Sequence, residues 1–426
     1  MNYNIWNKWD KLQTVMLGEC YGPEFFRDIK NTRIKSALQR IANESQEDLE
    51  KYSNVLKDFG CTVLRPILDS NDSIMNYVNQ DGGITNISRS PLQPRDAQLV
   101  IGDTLFYVTI DHPALRNCLD AYNEKDTIKL EGPLKESSFE GYKGNNAPDW
   151  PSYGEFIDTF ANNKPYSTNE VVQQEIADII KNEKGGHFPI CAPSITVIGK
   201  DIYIDVEDVG RLPSPTTAHL KISTFDDYNP KDTSQLYMDY YFTKFTKLFP
   251  NFRINFLKVG GHNDGCFHAI KPGAILSLRE IQTYDDTFPD WDVCYLPDQS
   301  WSKIVPFSKL KQKNHGKWWV PGEEDNAEFT HFVETWLQDW VGYVEETVFD
   351  VNVLVLDEHH VCVSQTDNKI VNSFLKKHNM EPVYVPWRHR YFWDGGLHCI
   401  TLDLCREGLQ QNYFPDRTNP IIDKGF

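Results

Sequence analysis

A local pattern recurs five times along this sequence, and it restricts the fold more than any other feature. Short apolar segments read as strand, turn and strand, often followed by a helical stretch and a returning strand. The first unit opens with Leu12-Gln13-Thr14-Val15-Met16-Leu17-Gly18. A helix over about 46–59 then puts Leu49, Tyr52, Val55 and Leu56 on one face, Gly60 stops it, and Cys61 to Pro66 return as a strand. The second unit runs Gln98-Leu99-Val100-Ile101, turns at Gly102-Asp103 and continues as Leu105 to Val108. The third runs Ile195 to Ile198, turns at Gly199-Lys200 and continues as Ile202-Tyr203-Ile204. Its helix would carry Tyr237, Tyr241, Phe245 and Leu248, and its return Ile254 to Val259. The fourth pairs Phe267 to Ile270 with Ala274 to Leu278 across Lys271-Pro272-Gly273, and closes with Val293 to Leu296. The fifth pairs Val351 to Leu356 with Val361-Cys362-Val363, continues as a helix over about 369–378 and returns as Val383-Tyr384-Val385.

Five like units point to modules arranged around an axis, each burying its apolar surface against its neighbours, in one α/β domain spanning residues 1–426. An ordinary α/β sheet decorated with hairpins accounts for the same local signals. Two polar excursions interrupt the pattern. One, at about 110–187, is rich in Asp, Glu, Asn and Pro and reads as a lid or an interaction surface. The other, at about 299–325, holds Lys309-Leu310-Lys311-Gln312-Lys313 and reads as a solvated loop.

The formal charge of −18 disfavours a nucleic-acid partner, which would require clustered Lys and Arg to neutralise phosphates. It suits a cationic small molecule, although acidic surfaces also serve solubility alone. No apolar run reaches the roughly 18–20 residues of a spanning helix, and the start Met1-Asn2-Tyr3-Asn4-Ile5-Trp6 lacks a secretory pattern. A cytoplasmic protein without a membrane partner is the expectation. The nine cysteines are scattered without a CxxC pair, which indicates neither a zinc site nor a disulfide framework.

Polar residues recur where one unit passes into the next. Gln93-Pro94-Arg95-Asp96 precedes the second unit and Gly260-Gly261-His262-Asn263-Asp264 the fourth, while Trp393-Asp394-Gly395-Gly396-Leu397-His398-Cys399 follows the fifth return. Around an axis such equivalent positions converge on one pocket. The residue types fit one chemistry. Cys399 offers a thiolate nucleophile, His262 a proton carrier near neutral pH, and Asp96 with Asp264 a paired carboxylate grip for a planar cation such as a guanidinium. Each also has a plain structural reading: Cys399 as the start of a buried strand, His262 as a turn residue, Arg95-Asp96 as a loop ion pair or cap.

The stretch Val351 to Gly408 resembles the C-terminal part of the glycine amidinotransferases. The shared features are the Leu-Asp-Glu strand end, Gly395-Gly396, His398-Cys399, Thr401 and Asp403. Upstream, His262-Asn263-Asp264 with Pro272-Gly273 resembles the family's His-x-Asp motif, and Pro94-Arg95-Asp96 its Pro-Arg-Asp motif. Trp9-Asp10-Lys11-Leu12 resembles its opening strand, so the resemblance covers nearly the whole chain. It implies the five-bladed αβ-propeller of the guanidino-modifying (pentein) superfamily, with pseudo-fivefold symmetry. It implies covalent catalysis by Cys399 without metal or organic cofactor, with His262 as acid and base and Asp264 among the catalytic residues. Asp96, Arg95 and Arg279 would bind substrate. The partners implied are a guanidine donor and an amine acceptor, and a homodimer is an expectation of the same kind.

The chain departs from the family pattern at the acidic segment before the third unit, where Cys191 and Ser194 stand at the two acidic positions. Arg279 and Glu280 occupy the neighbourhood of the family's carboxylate-binding arginine. Three functions follow from these residues: an amidinotransferase, a hydrolase of the same superfamily in which water replaces the amine, and a catalytically silent binding protein.

Overall fold

The computed structural model describes residues 3–77, 89–107, 112–122, 192–205, 249–257, 262–278, 284–296, 325–337, 348–364 and 368–418, with a few isolated residues between them. Among the described residues the strands form five sheets of three strands each, all built to one plan. Two strands pair antiparallel, as a hairpin in four of the five sheets, and a third lies parallel to the middle strand. The reason is local. A two-residue turn reverses the chain directly, whereas a parallel neighbour requires a crossover, here commonly helical.

In chain order the strands are β1 Leu12–Leu17, β2 Thr62–Leu64, β3 Gln98–Ile101, β4 Thr104–Tyr107 and β5 Leu130–Glu131. Then come β6 Ile195–Ile198, β7 Asp201–Asp205, β8 Arg253–Leu257, β9 Phe267–Lys271 and β10 Ala274–Ser277. The last are β11 Asp292–Tyr295, β12 Leu354–Val355, β13 His360–Val363, β14 Glu381–Tyr384 and β15 Thr401–Arg406. The hairpins β3–β4 and β6–β7 turn at Gly102 and Gly199, whose φ values of 59° and 58° place them in the left-handed region. The remaining sheet joins the two ends of the chain: β15 pairs antiparallel with β1, Leu17 opposite Thr401, and β1 pairs parallel with β2.

Most strand signals fall where the pattern of apolar residues put them, and the differences have identifiable causes. The first helix spans Thr32–Asp58 and starts well before residue 46. Asn31 caps it by accepting from the Arg33 and Ile34 amides, and Ile34, Ala37, Leu38 and Ile41 extend its buried stripe. That stripe packs with Leu354, Cys362, Val385 and Trp387, so this helix shares a core with the fifth unit. A large side chain buried there contributes about 1.5–3 kcal/mol. Val351 ends a short helix, Val348–Val351, so the fifth hairpin's first strand is shorter than expected. The stretch read as an excursion from about 110 begins by completing the second unit, with a helix Pro113–Tyr122 and then β5 parallel to β4. Most of the expected helix around Tyr237–Leu248, the remainder of that excursion and Lys309–Lys313 lie outside the described residues. Among the described residues no helix is long and apolar enough to cross a membrane.

A helical turn stands immediately before the first strand of every sheet. These turns are Pro94–Ala97, Ala192–Ser194, Asn263–Cys266, Val348–Val351 and the hydrogen-bonded turn over 397–400. Pro94–Ala97 packs on Ala192–Ser194, that turn on Asn263–Cys266, and that in turn on Val348–Val351. Asn352 reaches Cys399, and Arg95 reaches the His398 carbonyl. Residues far apart in sequence are thereby brought together.

Candidate active site

Cys399 sits at the end of a tightly specified turn. Asp394 takes a left-handed conformation (φ 50°), which an aspartate tolerates better than most residues. Trp387 Nε1 donates to the Gly395 carbonyl at 2.7 Å, and Gln93 Nε2 donates to the Trp393 and Asp394 carbonyls. Gly396 is required by proximity: a Cβ there would come 2.5 Å from Asn352 Oδ1. That oxygen accepts the His398 and Cys399 amides at 2.9 and 3.0 Å. The same amide's Nδ2 donates to Cys399 Sγ at 3.0 Å and to the Asp264 carbonyl at 3.1 Å. Asn352 thus holds the backbone and the sulfur of Cys399 together. It stands two residues before the fifth hairpin's first strand, as Asp96 stands two residues before β3. That equivalence was the signal for it in the sequence.

Asp264 is 2% exposed. Its Oδ2 lies 2.7 Å from His398 Nδ1 and accepts from the Cys399 thiol at 3.6 Å. Its Oδ1 is buried with no partner among the described residues, and so is Oδ1 of the half-buried Asp96. Buried carboxylate oxygens without donors are costly, and two beside one thiol mark a place for a cation. Burial first, and then the charges of Asp264 and Asp96, push the Cys399 thiol well above its usual range. Burial also raises the Asp96 carboxyl, opposed by His262 and Arg89 and reinforced by Asp264 and Asp394. His262, half-buried ahead of the Asn263–Cys266 turn, is therefore within electrostatic reach of Asp96. Contact joins Cys399 to Asp264, and electrostatic interaction joins Asp96 to both of them and to His262.

Arg95, expected among the substrate-binding residues, is buried and turned to another task. Its Nη2 donates to Asp403 Oδ1 at 2.6 Å and its Nε to the His398 carbonyl at 3.0 Å. Arg406 takes the other oxygen of Asp403 at 2.7 Å and donates to the Val355 and Asp10 carbonyls. Burial alone would raise the Asp403 carboxyl, but Arg406, Arg95 and Lys8 overcome it and hold it well below the carboxylate range. This network anchors the turn carrying His398 and Cys399 on β15. Thr401 Oγ1 adds bonds to the Leu397 and His398 carbonyls.

Ser194, at the second of the two expected acidic positions, is buried in the turn before β6, where its carbonyl accepts from Asn263 Nδ2 at 2.8 Å. It supports the residue next to His262 through its backbone. Asp205, at the end of β7, accepts from the Val259 amide at 3.0 Å. Cys191 and Arg279 lie outside the described residues. The sequence reading missed Asn352, Lys8 and Arg406 and gave His398 no role.

No protein-family model matches the chain. Individual relatives do. Mitochondrial glycine amidinotransferase of Xenopus tropicalis is 23% identical over 429 residues, covering 96% of this chain and 84% of the relative. The L-arginine:L-lysine amidinotransferase of Pseudomonas savastanoi pv. phaseolicola is 20% identical over 430 residues, covering 96% and 95%. Among solved structures, an amidinotransferase of saxitoxin biosynthesis from Microseira wollei superposes with a TM-score of 0.54 at 16% identity, over 97% of this chain and 99% of its own. The inosamine-phosphate amidinotransferase of Streptomyces griseus gives 0.51 at 16% identity, over 96% and 99%. Over nearly its whole length this chain is similar in sequence to amidinotransferases that act on glycine or on arginine and lysine, and its fold is similar to that of two solved amidinotransferases.

Proposed function

We propose that this protein moves an amidino group from arginine, or a related guanidine, to a small amine through a covalent intermediate on Cys399. The observation that carries the reading is one thiol in contact with Asp264 and within electrostatic reach of Asp96, each carboxylate having a buried oxygen without a donor among the described residues. In the free protein, burial and the two negative charges favour the protonated thiol. A guanidinium held by Asp96 and Asp264 offsets those charges, so the thiolate forms when its electrophile is present.

His262 accepts the thiol proton, and Sγ adds to the guanidinium carbon. The bond from that carbon to the alkyl nitrogen then breaks, and His262 returns the proton to the departing nitrogen. With arginine as donor, ornithine leaves and a cationic amidino group remains on sulfur. An incoming amine attacks the same carbon, gives its proton to His262 and expels Cys399, which takes the proton back. Asp96 and Asp264 stabilise the cation throughout. Within this reading Asp96 is the carboxylate that acts on His262, since Ser194 stands where the family pattern has an acid.

The five sheets are the blades of a five-bladed propeller on this reading. It is supported by their common plan, by the sheet shared between the chain ends and by the packing of one helical turn on the next.

The test is incubation with arginine and a panel of small amines. Ornithine release that depends on the amine and on Cys399 is expected. Equal release by Cys399→Ala would contradict the reading, and citrulline formed without any amine would assign the site to hydrolysis.

A further inference from the structure

Lys8 precedes β1, and its Nζ lies 3.3 Å from His398 Nε2. The other ring nitrogen, Nδ1, is 2.7 Å from Asp264 Oδ2, the oxygen that also accepts from the Cys399 thiol. Four titratable side chains thus form one hydrogen-bonded line from Lys8 to the nucleophile. His398 is 1% exposed, and burial, followed by the charges of Arg95 and Lys8, holds its pKa well below the usual value. The contact with Lys8 calls for a neutral imidazole, with one N–H and one acceptor nitrogen. An ammonium group can only donate. While Lys8 is charged, Nε2 must accept, so the ring hydrogen sits on Nδ1 and is given to Asp264.

We propose that Lys8 is a positioning residue for the transfer reaction proposed above. Through His398 it fixes the tautomer that keeps Asp264 an oriented carboxylate toward the guanidinium and the thiol. The proposal rests on that functional reading only for its consequence; the tautomer lock follows from the contacts themselves.

The lock can open. Burial brings the Lys8 pKa down to about 7, helped by Arg95 and opposed by Asp264 and Asp403, with Arg406 lowering it further. The groups facing Lys8 are Arg95 from the Pro94–Ala97 turn, Asp264 from the Asn263–Cys266 turn and His398 with Asp403 and Arg406 at and on β15. His268 on β9 feels the Lys8 charge, and its ring stands edge-on to His398 with centroids 4.8 Å apart. Lys8, Arg95, Asp264, His398 and Asp403 also line a cavity of about 20 Å³, room for about one water molecule. Once Lys8 is an amine it can accept from Nε2–H as well as donate, so its contact no longer excludes the other tautomer. In that tautomer Nδ1 turns a lone pair toward the Asp264 carboxylate, and that contact is lost. Its loss weakens the orientation of Asp264 toward a guanidinium.

The test is nitrogen NMR of protein labelled with 15N-histidine, with the His398 signals assigned by their loss in His398→Gln. The Nδ1–H tautomer is expected at pH 6, giving way to Nε2–H toward pH 9 with a midpoint near 7. Neither Lys8→Gln nor Lys8→Met titrates, so neither should show a transition near 7. In turnover, Lys8→Met should raise KM for the guanidine about tenfold with a smaller change in kcat, and Lys8→Gln should recover most of it. A His398 tautomer that does not change between pH 6 and 9 in the unaltered protein would overturn the proposal. So would an unchanged transition in Lys8→Gln, a polar variant one bond shorter that serves should Lys8→Met fail to fold. The NMR needs no turnover, so failure of amidino transfer and failure of the tautomer lock are separate results.

Discussion

Asn352 holds Cys399 at both ends: its Oδ1 accepts the Cys399 amide at 3.0 Å, and its Nδ2 donates to Sγ at 3.0 Å. One side chain thereby sets the backbone of the nucleophile's turn and supplies a donor that favours the thiolate over the thiol. Asn352→Ala removes the acceptor for two buried amides, His398 and Cys399. A stability loss of about 1–3 kcal/mol is expected by thermal or urea denaturation. A fall in kcat/KM of about tenfold to a hundredfold should accompany it, since each factor of ten corresponds to about 1.4 kcal/mol. Unchanged kinetics would remove Asn352 from the site.

Asp264 raises the Cys399 thiol pKa, so its neutralisation has a defined sign. In the free protein, the iodoacetamide reaction should climb with pH and still be rising at pH 9, because the thiol titrates above its ordinary value. Asp264→Asn should shift that profile toward lower pH and speed alkylation at pH 8. The same variant should lose most amidino transfer, as the guanidinium grip is gone. Slower alkylation would contradict the electrostatic account.

Asp403 sits between Arg95 and Arg406, both buried. Asp403→Asn strands two cations, and a loss of about 3–5 kcal/mol in unfolding free energy is expected. The carboxyl's folded pKa is depressed from 3.8, so its stabilisation is present above about pH 4. It is lost only as pH falls through the much lower folded value. The gap between the unaltered protein and Asp403→Asn should hold steady from pH 8 to about 4 and narrow below that. A gap that closes near neutrality would show that the network lies elsewhere.

Gly396→Ala would push a methyl group to within 2.5 Å of Asn352 Oδ1. The expected result is a folded protein whose turnover falls about a hundredfold or more, through displacement of Asn352. Full activity would mean that the turn over 397–400 relaxes freely.

Much of this was legible in the sequence because it is local. The hairpins at Gly102 and Gly199 are fixed by a turn and its flanking alternation, and both lie where those residues put them. Equivalent placement before a hairpin singled out Asp96, Asp264 and His262 together with Cys399. The same rule applied to Asn352, but an asparagine in an apolar run reads as unremarkable until its partner is known. Arg95 was read as facing substrate because its motif contains Asp96, yet a short helical turn points adjacent residues in different directions, and Arg95 meets Asp403, 308 positions along the chain. Lys8 and His398 are 390 positions apart. Nothing in the local pattern at either end records that contact, which depends on β15 pairing with β1.

Intact-protein mass spectrometry after brief mixing with arginine, in the absence of an amine acceptor, tests the central claim most directly. The account predicts a mass gain of one amidino group, mapped to Cys399 by peptide analysis, absent in Cys399→Ser and discharged by adding a productive amine. Ornithine released by the unaltered protein with no adduct on Cys399 at any mixing time, or an adduct mapped to another residue, would contradict it.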